Sequence, residues 1–393
     1  MVGSGPGGAL VAHELAKSGK RVIVVEAGPR LRTKDYQQDT GKVLADYFWE
    51  GGARTAMGNV VMPTMQARCL GGGSVFNSAI CLRATPSSLG RWAEEHGVEG
   101  LSPDDLLPHY EAVEAFMGVR PVEDACEELG WHGEPIERNE EGCIGSGECV
   151  IGCRAGAKLS TDRRGIKEMV ELGGRVYTSV QADKLIIRNY RVHGIEGSVV
   201  HPSTRKRGQS VRILAKCTIL AAGAVATPAI MRHSGLTRDP VGANFRLHPS
   251  GFHMGFFKEK VEPWKGATQG YHCLEFLDEG VKLESMWAST ALLALRFPGA
   301  GKQLKRYLSK YGHAATWATW VSGEDSTGTV RALPNGKPAI AYNLAKGDVR
   351  RLQEANAKLA EMFFAAGADK VITGLHGIPP ELRSMADVDE LRR

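Results

Sequence analysis

The chain has 393 residues, 42% of them hydrophobic and 24% charged, which describes a folded globular protein with room for two or three domains and excludes a disordered chain. Its formal net charge of +5 is mild and spread along the sequence, and the one tight basic run, Arg205-Lys206-Arg207, reads as a solvated turn, so no nucleic-acid partner is expected. No apolar stretch approaches the roughly 20 residues of a membrane-spanning helix, and eight cysteines in a chain this long do not make a secreted disulfide scaffold; a cytoplasmic location is expected.

The sequence opens on Gly3-Ser4-Gly5-Pro6-Gly7-Gly8, then a helical run over 9–17, a Gly19 stop, and a valine-rich strand over 21–25 that ends at Glu26. This order fits the dinucleotide fingerprint G-x-G-x-x-G. Gly3 makes the tight turn, Gly5 lets the backbone approach a pyrophosphate, and Gly8 allows close helix-strand packing. Free N–H groups and the helix dipole favour phosphates at the helix start, and Glu26 is placed to accept hydrogen bonds from both ribose hydroxyls of an adenosine. A Rossmann unit opens on a buried strand of about five residues, yet only Met1 and Val2 precede Gly3, so the first strand is expected to be cut short.

A loop-rich stretch over 27–67 leads to Gly71-Gly72-Gly73-Ser74-Val75-Phe76-Asn77. Three consecutive glycines let a backbone pass close to a cofactor, with Ser74 and Asn77 supplying polar side chains beside it. An insertion follows, with an aromatic, acidic helical stretch over 92–116 and a charged loop over 131–141. From Gly174 short strands are expected over 176–178, 184–187, 192–200 and 211–214, separated by turn residues as in an antiparallel meander. The run over 217–228, Cys-Thr-Ile-Leu-Ala-Ala-Gly-Ala-Val-Ala-Thr-Pro, reads as a buried strand ending in small residues, against which a cofactor ring can lie at Ala222 and Gly223.

Residues 241–393 read as a different domain. Strands are expected over 252–257, 285–297 and 316–321, a turn at Leu333-Pro334-Asn335-Gly336, and one amphipathic helix with Val349, Leu352, Leu359 and Phe363 on a single face, Asp348 as its cap and Gly367 at its end. The expected fold is α/β (α+β): a Rossmann-like dinucleotide-binding domain with an inserted β-meander (1–85 and 155–240), an insertion or lid carrying a Cys-Gly loop (86–154), and a second domain built on an antiparallel sheet with helices (241–393), which would face the substrate.

In order along the chain, the Gly3 to Gly8 fingerprint with Glu26, the GGGSVFN loop at Gly71, the segment CIGSGECVIGCRAGAKLST over 143–161, Ala221-Ala222-Gly223-Ala224, Gly242-Ala243-Asn244 with His248-Pro249, and GKPAIAY at Gly336 resemble the glucose-methanol-choline (GMC) family of FAD-dependent oxidoreductases. The Cys-Gly segment before GAK is similar to the branch of long-chain alcohol oxidases and related bacterial alcohol dehydrogenases. The resemblance implies an FAD held by Gly3, Gly5, Gly8, Glu26, Gly72, Gly73, Ser74, Asn77, Ala222 and Gly223. It also implies a small-molecule alcohol that gives a hydride to the flavin, with oxygen or a quinone-type carrier as electron acceptor.

Family members carry a His-x-x-Gly-Thr segment near their C-terminus that supplies the catalytic histidine. This sequence does not contain it, so no catalytic residue is assigned and the chain is expected to be incomplete at both ends and inactive alone. His248 and His376 lack the family's catalytic context and are read as structural or exposed. Cys143, Cys149 and Cys153 form C-x5-C-x3-C; three thiolates could hold an iron-sulfur cluster for a dehydrogenase that passes electrons to a partner, but neither Pro nor a fourth nearby cysteine follows Cys153, and a tight loop without metal is expected. The other alternative is a non-catalytic remnant of the fold.

Overall fold

In the computed structural model, which describes residues 1–117, 119–120, 131–287 and 290–392, the glycine-rich opening turns directly into the helix Pro6–Lys17. Proline at the first helical turn costs no hydrogen bond, because that N–H has no intrahelical acceptor. Ala9, Ala12 and Ala16 give the helix a smooth buried face that packs on Val22, Val24, Ile166 and Met169. The strand that follows, Ile23–Val25, pairs in parallel with Arg175–Tyr177.

On the other side of that strand, Val2 bridges both Val25 and Leu220 in parallel. Its N–H donates to the Ile219 carbonyl at 2.9 Å and its carbonyl accepts from Ala221 at 2.8 Å. Met1 and Val2 thus occupy the position of a first Rossmann strand, and the parallel order 175–177, 23–25, Val2, Leu220 is that of a doubly wound sheet. The run over 217–220 corrects one expectation. It makes a single bridge at Leu220 and is half-buried to exposed, because its strand-type pairing is confined to Val2.

Three of the four expected meander strands form it, Val180–Arg188, Arg191–Val200 and Arg207–Leu214 lying side by side, antiparallel; the strand expected over 176–178 is corrected, since Arg175–Tyr177 pairs in parallel with Ile23–Val25 instead. Ala182, Leu185 and Ile195 point inward against Val2 and Ile230.

A six-stranded sheet dominates the second half, in the order Lys370–Ile372, Ser250–Phe256, Ala314–Val321, Val281–Ser285, Tyr271–Cys273, Gly133–Pro135. The helix Lys346–Ala365 covers one face, and Gly255 lies so close to the Phe363 ring that a Cβ there would sit 2.3 Å from it. Leu359 and Phe363 are buried as the pattern required, whereas Val349 is 37% exposed. That apolar stripe begins one turn later than expected. Asp348 is not the cap either: Ala345 holds that position, and Asp348 is fully buried, accepting hydrogen bonds from Ser326 N at 2.9 Å, Glu324 N at 3.2 Å, the Ser326 hydroxyl and Arg351.

The strand expected over 285–297 is also corrected. Val281–Ser285 ends where it was to begin, residues 288–289 lie outside the described residues, and Thr290–Ala294 is helical. Alanine and leucine favour that helix, and Leu293 and Phe297, four apart, both enter the cluster of Phe252, Met254, Phe256 and Tyr307 on the sheet's other face. The helical stretch over 92–116 is two helices, Pro86–His96 and Pro103–Met117, separated at Gly97, whose left-handed φ of 61° closes the first.

A four-stranded sheet joins Thr327–Ala332 and Pro338–Asn343 to Thr55–Met57 and Val61–Pro63. The turn at Leu333 to Gly336 closes this hairpin with Leu333 N to the Lys337 carbonyl at 2.8 Å. Two sheets therefore take strands from distant parts of the chain, Gly133–Pro135 in one and Thr55–Pro63 in the other. We keep the division at 85, 154 and 240 as a proposal. Among the described residues, no helix is long and apolar enough to cross a membrane.

Asp348→Ala removes the acceptor of Asp325 N, Ser326 N and the Ser326 hydroxyl, whereas Glu324 N and Arg351 keep the Ser322 carbonyl. It is expected to lower stability by about 2–4 kcal/mol in urea unfolding, with Val349→Ala as the near-neutral control on the same helix.

Candidate functional site

The start of the first helix is where three segments far apart in sequence meet. Gly3, at φ 97°, packs on the 219–222 segment so tightly that a Cβ would lie 2.3 Å from the Ala221 carbonyl oxygen, and a Cβ on Gly8 would lie 2.2 Å from the Gly3 carbonyl oxygen. Those contacts explain why these two positions are glycine. Gly72 reaches the same point from the second loop, its Cβ position 3.0 Å from Gly5 Cα.

A hydroxyl that the sequence reading passed over ties the loops together. Ser4 is fully buried; its Oγ donates to Glu26 Oε2 at 2.7 Å and accepts from Gly71 N at 3.0 Å, while Ser4 N donates to the same carboxylate oxygen at 3.1 Å. Glu26 Oε1 accepts from Gly28 N at 2.8 Å. Three of about four acceptor sites on this carboxylate are therefore used inside the protein. Room remains for one further donor where two ribose hydroxyls were expected, and the main work of Glu26 is to hold the first loop against the second.

Ser74 is likewise internal. Its Oγ donates to the Gly71 carbonyl at 2.7 Å and accepts from Thr161 N at 3.0 Å; Thr161, buried, adds a hydrogen bond from its hydroxyl to the Gly71 carbonyl at 3.1 Å. Ser74 clips the loop to the 143–161 segment. Asn77 is exposed and its carbonyl accepts from Lys158 Nζ at 2.7 Å. Ala222 precedes and Gly223, at φ 81°, opens the helix Gly223–His233.

The remaining expected glycines border open space. No atom lies within 4 Å of a Cβ built on Gly5, Gly7, Gly73 or Gly223, and no side chain caps the helix at Gly5. Bare backbone around a helix N-terminus, beside a buried acid at the tip of the second strand, fits the diphosphate of a dinucleotide. The residues present fit FAD on these grounds.

Two residues outside the expected set matter structurally. Lys158 is buried and donates to the Asn77 and Cys149 carbonyls at 2.7 and 2.8 Å; burial lowers its amine to about 8, against the opposing charges of Cys149 and Cys153. Arg138, fully buried, donates to the Ser78 and Gln269 carbonyls, Glu140 and Cys149 Sγ. Lys158 lies in the GAK motif; Arg138 carried no local signal. Among the described residues, no three His, Cys, Asp or Glu side chains are arranged to hold a metal ion. His248 lies tilted against Trp320 with ring centroids 5.0 Å apart, and His376 is exposed in the turn that follows the strand Lys370–Ile372.

A parallel core with two glycine loops converging on a helix N-terminus defines a dinucleotide-binding oxidoreductase fold. A profile of GMC oxidoreductases matches residues 45–250, and one of NAD(P)-binding Rossmann-like domains matches 1–60. The chain belongs to the GMC oxidoreductase family, whose cofactor is FAD. It is 32% identical to an uncharacterised GMC-type oxidoreductase of Mycobacterium tuberculosis, over 100% of this chain and 63% of that protein. It is 26% identical to the long-chain-alcohol oxidase FAO3 of Arabidopsis thaliana, over 95% of this chain and 53% of that protein. The chain thus spans less than two thirds of the length of these relatives. In fold it is similar to pyridoxine 4-oxidase from Mesorbium loti (TM-score 0.71, 17% identity, 99% of this chain and 84% of that one) and to formate oxidase of Aspergillus oryzae (0.70, 15%, 100% and 85%).

The relay gives two expectations. Ser4→Ala leaves Gly71 N–H and part of Glu26 unpaired in a buried place, and should cost about 1–3 kcal/mol in denaturant unfolding. Burial holds the Glu26 carboxyl above its ordinary value, against the lowering effect of Ser4, Gly28 and Arg68. A raised acid binds its proton more tightly when folded, so its contribution to stability is greatest below about 4.3, the unfolded value, and is lost as pH rises through the folded one. The stability of the wild type relative to Glu26→Gln should fall across that window; a pH-independent difference would contradict this reading.

Proposed function

We propose that this chain forms the FAD-holding and substrate-facing part of an oxidoreductase that acts on the CH–OH group of an alcohol. The observation that carries the reading is the joining of the two glycine loops by Ser4, Glu26 and Gly71 beside the open backbone of Gly5 and Gly73. Family membership and the 26% identity to a long-chain-alcohol oxidase support an alcohol as substrate class.

When bound, FAD supplies the hydride acceptor of such a reaction. The protein's own part is positional. The helix N-terminus at Gly5 places unpaired N–H groups and a positive dipole end toward the diphosphate. Ser74 and Thr161 fix the Gly71 carbonyl so that Gly72 and Gly73 keep their path past Gly5, and Glu26, already organised by three donors, offers one acceptor to the ribose. We place Gly223 at the edge of the same cleft, where the absence of a side chain leaves room for a ring or a phosphate. We assign no proton acceptor: the His248 ring is held against Trp320, and desolvation together with the Lys282 charge lowers its pKa.

Gly5→Val tests the reading. Its extended backbone (φ −64°, ψ −179°) admits valine and no atom lies near the added Cβ, so the variant should fold with unchanged stability. The isopropyl group then stands in the pyrophosphate path. FAD affinity should fall at least about 100-fold, near 2.8 kcal/mol, by flavin fluorescence titration; unchanged affinity would remove Gly5 from the site. Because no proton acceptor is assigned in this chain, the alcohol class is tested by binding: long-chain primary alcohols added to the FAD-loaded protein should perturb the flavin's visible spectrum saturably, and no perturbation by any alcohol would refute the alcohol assignment while leaving the cofactor site standing.

A further inference from the structure

The cysteine triplet is not used by the cofactor site, yet the fold gathers it. Cys143, Cys149 and Cys153 line one recess together with Glu140, Ser146 and Lys158. The three thiols are all free, and they differ in setting: Cys143 is exposed, Cys153 half-buried and Cys149 buried. The recess has space of about 10 Å³, enough for one water-sized molecule.

Two cations approach Cys149. Arg138 Nη2 approaches its Sγ to 3.3 Å, and Lys158 Nζ sits on its carbonyl at 2.8 Å. One carboxylate, Glu140, pairs with Arg138 at 2.8 Å. The Asp162 charge also acts on Lys158, and the thiol facing Arg138 is the group placed to become a further anion beside that guanidinium. Burial alone would raise the Cys149 thiol, but the Arg138 charge and hydrogen bond, together with the Lys158 charge, outweigh it and hold it below the ordinary value. Cys69 and Cys81, buried or partly buried elsewhere, are raised instead, mainly by desolvation.

We propose that this recess is a peroxide-reactive thiol site, in which hydrogen peroxide oxidises Cys149 and Cys143 then closes a Cys143–Cys149 disulfide. In the first step the Cys149 thiolate attacks one peroxide oxygen, the O–O bond breaks, and a sulfenic acid and hydroxide result. In the second the Cys143 thiol attacks that sulfur, forming the S–S bond and expelling the sulfenic oxygen as water. Overall two thiols lose two electrons and peroxide becomes two waters. A recess with room for one water-sized molecule excludes a glutathione-sized disulfide, whereas peroxide needs only its single reacting oxygen to enter beside Cys149. Both thiols line the same recess, Cys143 exposed and Cys149 buried, so Cys143 is the one open to solvent. Because Lys158 also holds the Asn77 carbonyl, the site is joined by one hydrogen-bonded side chain to the end of the second glycine loop.

The test uses the whole reduced chain, treated with hydrogen peroxide, quenched by alkylation and mapped by peptide mass spectrometry. Cys149 should be consumed about tenfold or more faster than exposed Cys217, with a Cys143–Cys149 cross-linked peptide as product. Cys149→Ser should abolish that peptide, and Cys143→Ser should leave a dimedone-reactive sulfenic acid on Cys149. Oxidation of Cys149 no faster than Cys217, or no sulfenic adduct in Cys143→Ser, would overturn the proposal. So would iron and acid-labile sulfide copurifying with the chain and shielding Cys149 until they are removed.

Discussion

The Ser4 hydroxyl is the constraint on which the candidate site rests. It is one buried atom that donates to Glu26 and accepts from Gly71, so the first loop, the tip of the second strand and the second loop share a single hydrogen-bonded junction. A buried hydroxyl must find partners. Meeting that demand fixes where the bare glycine backbones run. Ser74 and Thr161 extend the junction by holding the Gly71 carbonyl, which brings in the segment over 143–161 as a third support. The cofactor contacts we assign are made by backbone, and the side chains of the motif are spent on holding that backbone still.

Arg138 and Lys158 do the same work between segments distant in sequence. Each is a buried cation whose hydrogen bonds go largely to main-chain carbonyls: Ser78 and Gln269 for Arg138, Asn77 and Cys149 for Lys158. Carbonyl groups in loops have no ladder partner, and a long cationic side chain can satisfy two at once from different parts of the chain. The insertion is thereby bound both to the glycine loop and to the large sheet, to which it also lends the edge strand Gly133–Pro135. Disturbance at the cysteine recess is a short step from the cofactor loop for this reason.

Where the sequence misled, a longer-range contact outweighed a local pattern. The apolar run after Ser285 reads as a strand from its side chains alone, yet Leu293 and Phe297 reach the aromatic cluster only if the chain coils between them. Asp348 looks like a cap from its place before the helix; instead the helix begins earlier and the carboxylate is drawn inside by Ser326 and Arg351. Val349 is then carried outward with the same turn. Glu26 and Ser74 were expected to turn polar atoms to a cofactor, and in the structure most of those atoms are bonded within the protein.

The sequence by itself determined the parts that depend on spacing: the Gly3 to Gly8 fingerprint with its helix and acid, the second glycine loop, the meander, and the long helix with its Leu359 and Phe363 face. These are local properties, set by backbone freedom at glycine and by the period of apolar side chains. Only the tertiary structure decided what meets what. The Ser4 junction, the partners of Thr161, the burial of Arg138 and Lys158, and the gathering of three cysteines around one recess all join residues from separate elements. Each arises because a buried donor or charge has to be matched, and the matching group can come from anywhere along the chain.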